Sequence, residues 1–386
     1  MMKILFLLRF YPVYGGGEAV TIKLANEFIN QGYETGIAYL WDSEKEDFQK
    51  INSRIKNYKL LSGSSPIRKE NIRYCDLGKI RTKLKEIISQ EQPQLIINQW
   101  MPPKMVYLAN CNIAKIISCR HAAIYINSKK WNFGKKLFGA NFKKILYFYY
   151  REYYKYSDKW ILLCDKFSKE AKEIFSGDFN NKIGAIYNPC RYDDKYLMAD
   201  YDKKENIILY VGRIYKEKRV NLLIDIWKSM ESIVLEKRWS FFIIGTGDQY
   251  DYLKRKIKND NCKNIFMIGQ QNPLDYYRKA KIFVSASETE GYPMTLIEAI
   301  SNGCVPVAMN TYSSLEDVIE KSCGVITQNN IYDFRDKLIE LMKNEALCKQ
   351  MAKNAMQSSN RFNIENIIES WKRVFRELLV NKERKL

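Results

Sequence analysis

The chain is poor in the residues that most often carry metal or covalent chemistry. Its 386 residues hold one histidine, His121, and nine cysteines scattered without a C-x-x-C pair. That pattern argues against a zinc site and against a disulfide framework, and a reducing compartment, the cytoplasm, is expected. Long apolar runs are also missing, and no stretch approaches the length of a membrane-crossing helix. The opening run from Met1 to Phe10 has one lysine and a short apolar core broken by Arg9 and Tyr11-Pro12. It is too short for a signal peptide and lacks a small-residue cleavage site, so it reads as a first buried strand. Acidic residues are absent altogether from Met101 to Tyr150, and the whole chain has a net charge of +19. Such a balance calls for an anionic partner: nucleic acid, a membrane surface or an anionic substrate. No zinc-finger, RRM or KH signature accompanies it, which disfavours nucleic acid. A hydrophobic content of 46% and a charged content of 28% mark a globular chain, and its length suits two domains.

The most informative stretch runs from Ser285 to Val307, SASETEGYPMTLIEAISNGCVPV. A short apolar run, Lys281 to Ser285, precedes it. A polar turn containing Gly291 and Pro293 leads into the helical pattern Met294 to Ile300, and a second strand-like run follows from Cys304 to Ala308. Strand, loop, helix and strand form the unit from which parallel sheets are built. Gly291 allows a ligand to approach the backbone, and Pro293 suits a first helical position. Unpaired N–H groups of Met294, Thr295 and Leu296 at that start would make an anion site suited to a diphosphate. Glu290 and Glu298 are not a hydrolytic acid/base pair. If both were helical they would lie about 12 Å apart along the axis, beyond the roughly 5 to 9.5 Å that glycoside hydrolysis uses.

Glu290, seven residues and Glu298, with Gly291 and Tyr292 after the first Glu, resemble the E-x7-E signature of retaining GT-B glycosyltransferases, family 4 or "glycosyl transferase group 1". The resemblance implies an α/β fold of GT-B type: two Rossmann-like domains facing across a cleft, with a C-terminal helix crossing back to the first. Expected domains are 1–192 for the acceptor, 193–362 for the nucleotide sugar, and 363–386 for the returning helix.

Along the chain, a strand at Ile4 to Leu8 leads through Tyr14-Gly-Gly-Gly-Glu18 to a helix from Ala19 to Ile29. The glycines are consecutive, unlike the dinucleotide fingerprint. In the resembled family this loop faces the donor diphosphate, which makes Gly16 and Gly17 candidate donor contacts. Strands at Thr35 to Leu40, Gln94 to Asn98 and Ala114 to Ser118 follow, with a helix at Asp76 to Gln90. His121 then falls where a strand emerges at its carboxyl end, the ligand side of an open parallel sheet. The resemblance makes it a catalytic candidate touching the donor sugar, although Ala122 stands where an acidic residue is common. From 127 to 159, lysine pairs alternate with Trp, Phe, Leu and Tyr. That suits either an anionic membrane surface or a core helix from Phe142 to Tyr156 with solvated lysines.

A polar linker, Asp193 to Glu205, includes Asp200-Tyr-Asp202, whose setting in a charged linker argues against a metal site. The next strand, Asn206 to Val211, ends in Gly-Arg, with Lys218 five residues after Arg213. An arginine fork and a lysine point charge stabilise a departing diphosphate, and the pair resembles the family's G-R-x4-K element. Gly245-Thr-Gly-Asp248 and Gly269 follow two further strands, at Trp239 to Ile244 and Asn264 to Ile268. The resemblance puts Gly269 near the nucleotide base. A short strand at 324–327, helices at Ile331 to Lys343 and Glu345 to Ser359, and an amphipathic helix at Asn363 to Val380 close the chain.

The implied activity is retaining transfer of a hexose from a nucleotide diphosphate sugar, UDP-sugar first, to a saccharide acceptor. A lipid-linked acceptor in capsule, O-antigen or similar polysaccharide synthesis is expected. Glu290 would meet the donor sugar, Glu298 the ribose hydroxyls, and Arg213, Lys218 and residues 291–296 the diphosphate, without metal or other cofactor. A nucleotide-sugar epimerase of the same fold and a non-catalytic nucleotide-sugar-binding subunit are the alternatives. The expected location is the cytoplasm, peripheral to the inner face of the plasma membrane.

Overall fold

In a computed structural model of the chain, the structure describes residues 1–12, 15–43, 51–62, 74–124, 136, 139–175, 181–192 and 200–380. Contacts divide the chain into two units. The first comprises Met1–Tyr125, Lys130–Arg191 and Ile364–Leu386; the second comprises Ile126–Lys129 and Tyr192–Asn363.

The first unit runs β1 (Lys3–Tyr11), α1 (Gly16–Asn30), β2 (Glu34–Asp42), β3 (Lys56–Lys59), α2 (Tyr74–Glu91), β4 (Leu95–Asn98), α3 (Pro103–Asn110), β5 (Lys115–Arg120), α4 (Phe142–Lys155), β6 (Lys159–Leu162), α5 (Asp165–Ile174) and β7 (Ile183–Ala185). Its sheet has the order β3-β2-β1-β4-β5-β6-β7, and every pairing is parallel. The central strands read as continuous apolar runs because helices cover both faces: Ile4 to Leu8 and Leu95 to Ile97 are all buried.

The second unit runs β8 (Glu205–Val211), α6 (Val220–Ser229), α7 (Glu231–Glu236), β9 (Ser240–Ile244), α8 (Tyr250–Asn259), β10 (Ile265–Gly269), α9 (Leu274–Lys279), β11 (Ala280–Ser285), α10 (Met294–Ser301), β12 (Val305–Met309), α11 (Leu315–Val318), β13 (Val325–Thr327), α12 (Ile331–Lys343) and α13 (Glu345–Ser358). Its sheet, order β10-β9-β8-β11-β12-β13, is again parallel throughout. Asn330 and Asn344 cap α12 and α13 through their side-chain oxygens.

The last helix, α14 (Ile364–Val380), belongs to the first unit. It buries Ile367, Ile368, Trp371, Phe375 and Leu378, one stripe of an amphipathic helix. Phe375 meets Phe28 of α1 at 5.4 Å between ring centroids, and Glu377 pairs with Lys159 of β6 at 2.6 Å.

Each sheet reverses its strand order once, between β1 and β4 in the first unit and between β8 and β11 in the second. Open parallel sheets bind ligands at the carboxyl ends of the strands beside such a switch point. Several local expectations change. Gly16 and Gly17 are the first residues of α1 rather than part of the loop. Pro293 is the N-cap of α10, so the helix proper begins at Met294. The strand β3 and the helices α3 and α9 were not read from the sequence. The expected linker lies partly outside the described residues. Asp200 caps a short turn, and Asp202 pairs with Lys349 at 2.6 Å.

Candidate active site

In the second unit, the ends of β8, β9 and β10 are clasped backbone to backbone. Gly212 donates to the Ile244 carbonyl at 3.0 Å, Ile214 to Thr246 at 2.9 Å, and Gly245 to Gly269 at 2.8 Å. Gly245 has φ +139, and an added Cβ would sit within the van der Waals envelope of the Gly212 carbonyl oxygen, so only glycine permits this approach. The clasp fixes the loop that carries Arg213, whose carbonyl accepts from the Tyr210 hydroxyl at 2.9 Å. The Arg213 side chain is exposed and lies over the Tyr215 ring at 5.1 Å.

The loops on the two sides of the switch point are tied together. Glu288 N–H donates to the Glu217 carbonyl at 2.7 Å, and Arg219 Nε to the Ala286 carbonyl at 2.6 Å. Between them, Lys218 Nζ and Glu290 Oε1 form an ion pair at 2.5 Å, with side chains only 13% and 21% exposed. The two candidate groups from strands β8 and β11 therefore meet at the switch point. Burial first, and then the charge of Glu290, raise the Tyr210 phenol, while Arg213 acts in the opposite sense. Both groups thus set the field at the end of β8.

The start of α10 differs from the expectation. Leu296 N–H is not open to an anion: it donates to the Pro293 carbonyl at 3.1 Å, and Ile297 N–H reaches the same oxygen at 3.3 Å. Met294 is also engaged within the protein. The first turn closes tightly on Pro293, so Met294, Thr295 and Leu296 do not form an open trio of donors. Tyr292, Pro293 and Leu296 are buried, and the Gly291 carbonyl accepts from Ser314 Oγ at 3.1 Å. Gly269 ends β10 at φ +83.

Glu298, farther along α10, is 6% exposed. Its Oε2 accepts from the hydroxyl of the fully buried Tyr277 at 2.9 Å. Burial and then this carboxylate hold the Tyr277 phenol well above its usual range. Tyr277 fixes the carboxylate's orientation, and sequence reasoning missed it.

In the first unit, His121 follows directly on β5. Its Nε2 meets Gln99 Oε1, and its ring stacks on Trp100 at 5.4 Å with 17° between planes. Arg9 lies over the same indole at 5.3 Å. A Cβ on Gly17 would meet that indole at 3.1 Å. An amide oxygen against Nε2 puts the ring proton there and leaves Nδ1 as an acceptor. Burial and then the Arg120 guanidinium push His121 down to about 4, so the imidazole is neutral near neutral pH. Gln99 and Trp100 stand at the end of β4, and the strand-end rule that singled out His121 singles them out equally. The groups expected at the donor thus fall in both units. Gly17 and His121 lie with Trp100 in the first unit. Arg213, Lys218, Glu290 and Glu298 lie in the second.

Two parallel sheets with alternating helices define an α/β protein of GT-B fold. The pneumococcal O-GlcNAc transferase GtfA, solved with UDP and GlcNAc, has this fold, with a TM-score of 0.73 at 14% identity over 98% of this chain and 99% of that one. Residues 199–358 match the family "Glycosyl transferases group 1". An uncharacterized glycosyltransferase of Haemophilus influenzae is 28% identical over 96% of this chain and 99% of its own length. The Campylobacter jejuni GalNAc-alpha-(1->4)-GalNAc-alpha-(1->3)-diNAcBac-PP-undecaprenol alpha-1,4-N-acetyl-D-galactosaminyltransferase is 26% identical over 56% of this chain and 61% of its own. The protein is a glycosyltransferase.

Proposed function

We propose that the protein is a retaining hexosyltransferase. It moves a hexose from a nucleoside diphosphate sugar, UDP-sugar first, to a saccharide carried on a lipid diphosphate, in the building of a cell-surface polysaccharide. The observation that carries this is the Lys218–Glu290 pair at the switch point of the family-matching unit, with Arg213 on the same loop. An incoming diphosphate competes for Lys218 and takes a second cation from Arg213, which stabilises the charge that grows on the leaving phosphate. Released from Lys218, Glu290 faces the positive charge that develops on the sugar. Glu298, oriented by Tyr277, takes the ribose hydroxyls. With two cations on the diphosphate, no metal is required. The leaving phosphate helps to remove the acceptor proton, and the new bond forms on the face the phosphate leaves. The first unit holds the acceptor, with neutral His121 as a hydrogen-bonding contact to the donor sugar. The likeness to an enzyme that acts on a PP-undecaprenol saccharide and the basic aromatic stretch 127–159 support a lipid-linked acceptor at the inner face of the plasma membrane. Residues 127–135 and 137–138 of that stretch lie outside the described residues.

Thermal stabilisation by UDP, GDP and ADP, without added metal, tests the donor site, because a ligand that binds only the folded state raises the melting temperature. One nucleotide should shift wild type and fail to shift Arg213→Ala. A flat panel, or a product with inverted anomeric configuration, would overturn the proposal.

A further inference from the structure

Among the described residues, two adjoining helices of the first unit present an exposed cationic, aromatic face. The helix α4 is held to its unit by Phe142, Leu146 and Tyr150, buried at every fourth position. Tyr150 is locked from below, its hydroxyl donating to the Ile124 carbonyl at 2.9 Å. The opposite face presents Lys144, Phe148, Arg151 and Lys155, all exposed and all on one side at helical spacing. Ile145, Tyr147 and Tyr149 flank it. Phe148 and Tyr149 are 60% and 59% exposed. Arg151 caps the Phe148 ring at 5.1 Å. The neighbouring helix α3 adds exposed Tyr107 and Leu108 beside the cation of Lys104. Glu152 is the one acid in the sequence of α4, and it is half-buried.

Exposed rings and aliphatic tips of this kind mark an interaction surface. Its chemistry selects among occupants. A second copy of the chain would bring the same cations against these cations. A nucleic acid would use the lysines but has no use for Ile145 and Leu108. Aliphatic and aromatic tips ringed by Lys and Arg match a helix lying in the plane of an anionic bilayer, with rings at the headgroup boundary and cations on lipid phosphates. We propose that the α3–α4 face rests on an anionic lipid surface. Attachment itself is independent of the transferase reading; its use, holding a lipid-linked acceptor within reach, rests on that reading.

The test is co-sedimentation of the full chain with phosphatidylglycerol vesicles and with phosphatidylcholine vesicles, with neither donor nor acceptor present. Wild type should bind the first, not the second, and be released as salt rises. Phe148→Ser with Tyr149→Ser should weaken binding about tenfold or more. Lys144→Gln and Arg151→Gln should each weaken it about fivefold. All four positions are exposed, so an unchanged melting temperature certifies the fold of each variant. No binding to phosphatidylglycerol, equal binding to both lipids, or wild-type binding in folded variants would overturn the proposal. So would a homopolymeric RNA that outcompetes the vesicles and depends on the same residues. Vesicle binding without any nucleotide response would instead sink the transferase mechanism and leave the surface standing.

Discussion

Replacing Tyr277 by Phe removes one oxygen and no volume. That oxygen donates to Glu298 Oε2 at 2.9 Å inside the second unit, where Tyr277 is fully buried and Glu298 is 6% exposed. A hydrogen bond to a charged group contributes about 1.5–3 kcal/mol net, and loss of the donor leaves the carboxylate less well solvated by protein. Each kcal/mol moves the melting temperature of a domain of this size by about 2–4 °C, so a fall of roughly 3–12 °C is expected. If Glu298 holds the ribose, its loosened carboxylate should also weaken UDP binding, by about tenfold for ~1.4 kcal/mol. Calorimetric titration with UDP on wild type, Tyr277→Phe, Glu298→Ala and the double variant separates the two effects. If Tyr277 acts on the nucleotide through Glu298, the double variant should bind no more weakly than Glu298→Ala alone. Wild-type affinity in folded Tyr277→Phe, or losses that add in the double variant, would refute the coupling.

Gly245→Ala should open the clasp between the ends of β8 and β9, since φ +139 and the Gly212 carbonyl both exclude a side chain. Strain of this kind costs about 1–3 kcal/mol before the clash is counted, and both the melting temperature and its shift by UDP should fall. Gly78→Ala in α2, where a Cβ meets open space, is the control and should be neutral or stabilising by up to about 1 kcal/mol. His121 is the one histidine of the chain, so its ring protons report a single titration by NMR. The midpoint should lie near 4 rather than 6.5 and should rise in Arg120→Ala. Because its folded pKa is depressed, the His121 contribution to stability is constant above about 6.5. It falls between there and about 4, as the unfolded chain takes up a proton the folded ring refuses. A midpoint at 6 or above would show that the ring is not enclosed as described.

Much of the fold was legible because buried parallel strands are short apolar runs. Lys281 to Ser285 and Ile4 to Leu8 announce themselves, and helices follow at 3.6-residue spacing. The strand β3 was not legible because its four residues, Lys56-Asn-Tyr-Lys59, lie at the sheet edge and need no apolar alternation. The helices α3 and α9, eight and six residues long, are too short for their periodicity to stand out. At the site, residue types were legible and partnerships were not. Glu290 and Lys218 were each assigned to the donor, but the folded chain pairs them with each other. Tyr277 lies 21 residues before Glu298, a separation carrying no local signal. The open helix start failed because closure of the first turn onto Pro293 depends on backbone angles that the residue types in this turn leave free.

The two units use the same topology for different chemistry. At the switch point of the second, the groups are ionic, and under the proposed function they suit a diphosphate: a lysine paired with a carboxylate, and an arginine on the same loop. In the first, burial and the Arg120 guanidinium hold a histidine neutral, which suits hydroxyl-rich ligands and not charge. Two cations are enough for one diphosphate, and they leave most of the net charge of +19 unexplained. Part of the remainder is concentrated on α4, whose single acid is half-buried and whose outward Phe148 and Tyr149 rings are exposed. Solubility alone would be served by lysines scattered over the surface. Lysines interleaved with exposed Phe148 and Tyr149 suit a partner that is both anionic and apolar, and the bilayer surface proposed above combines the two.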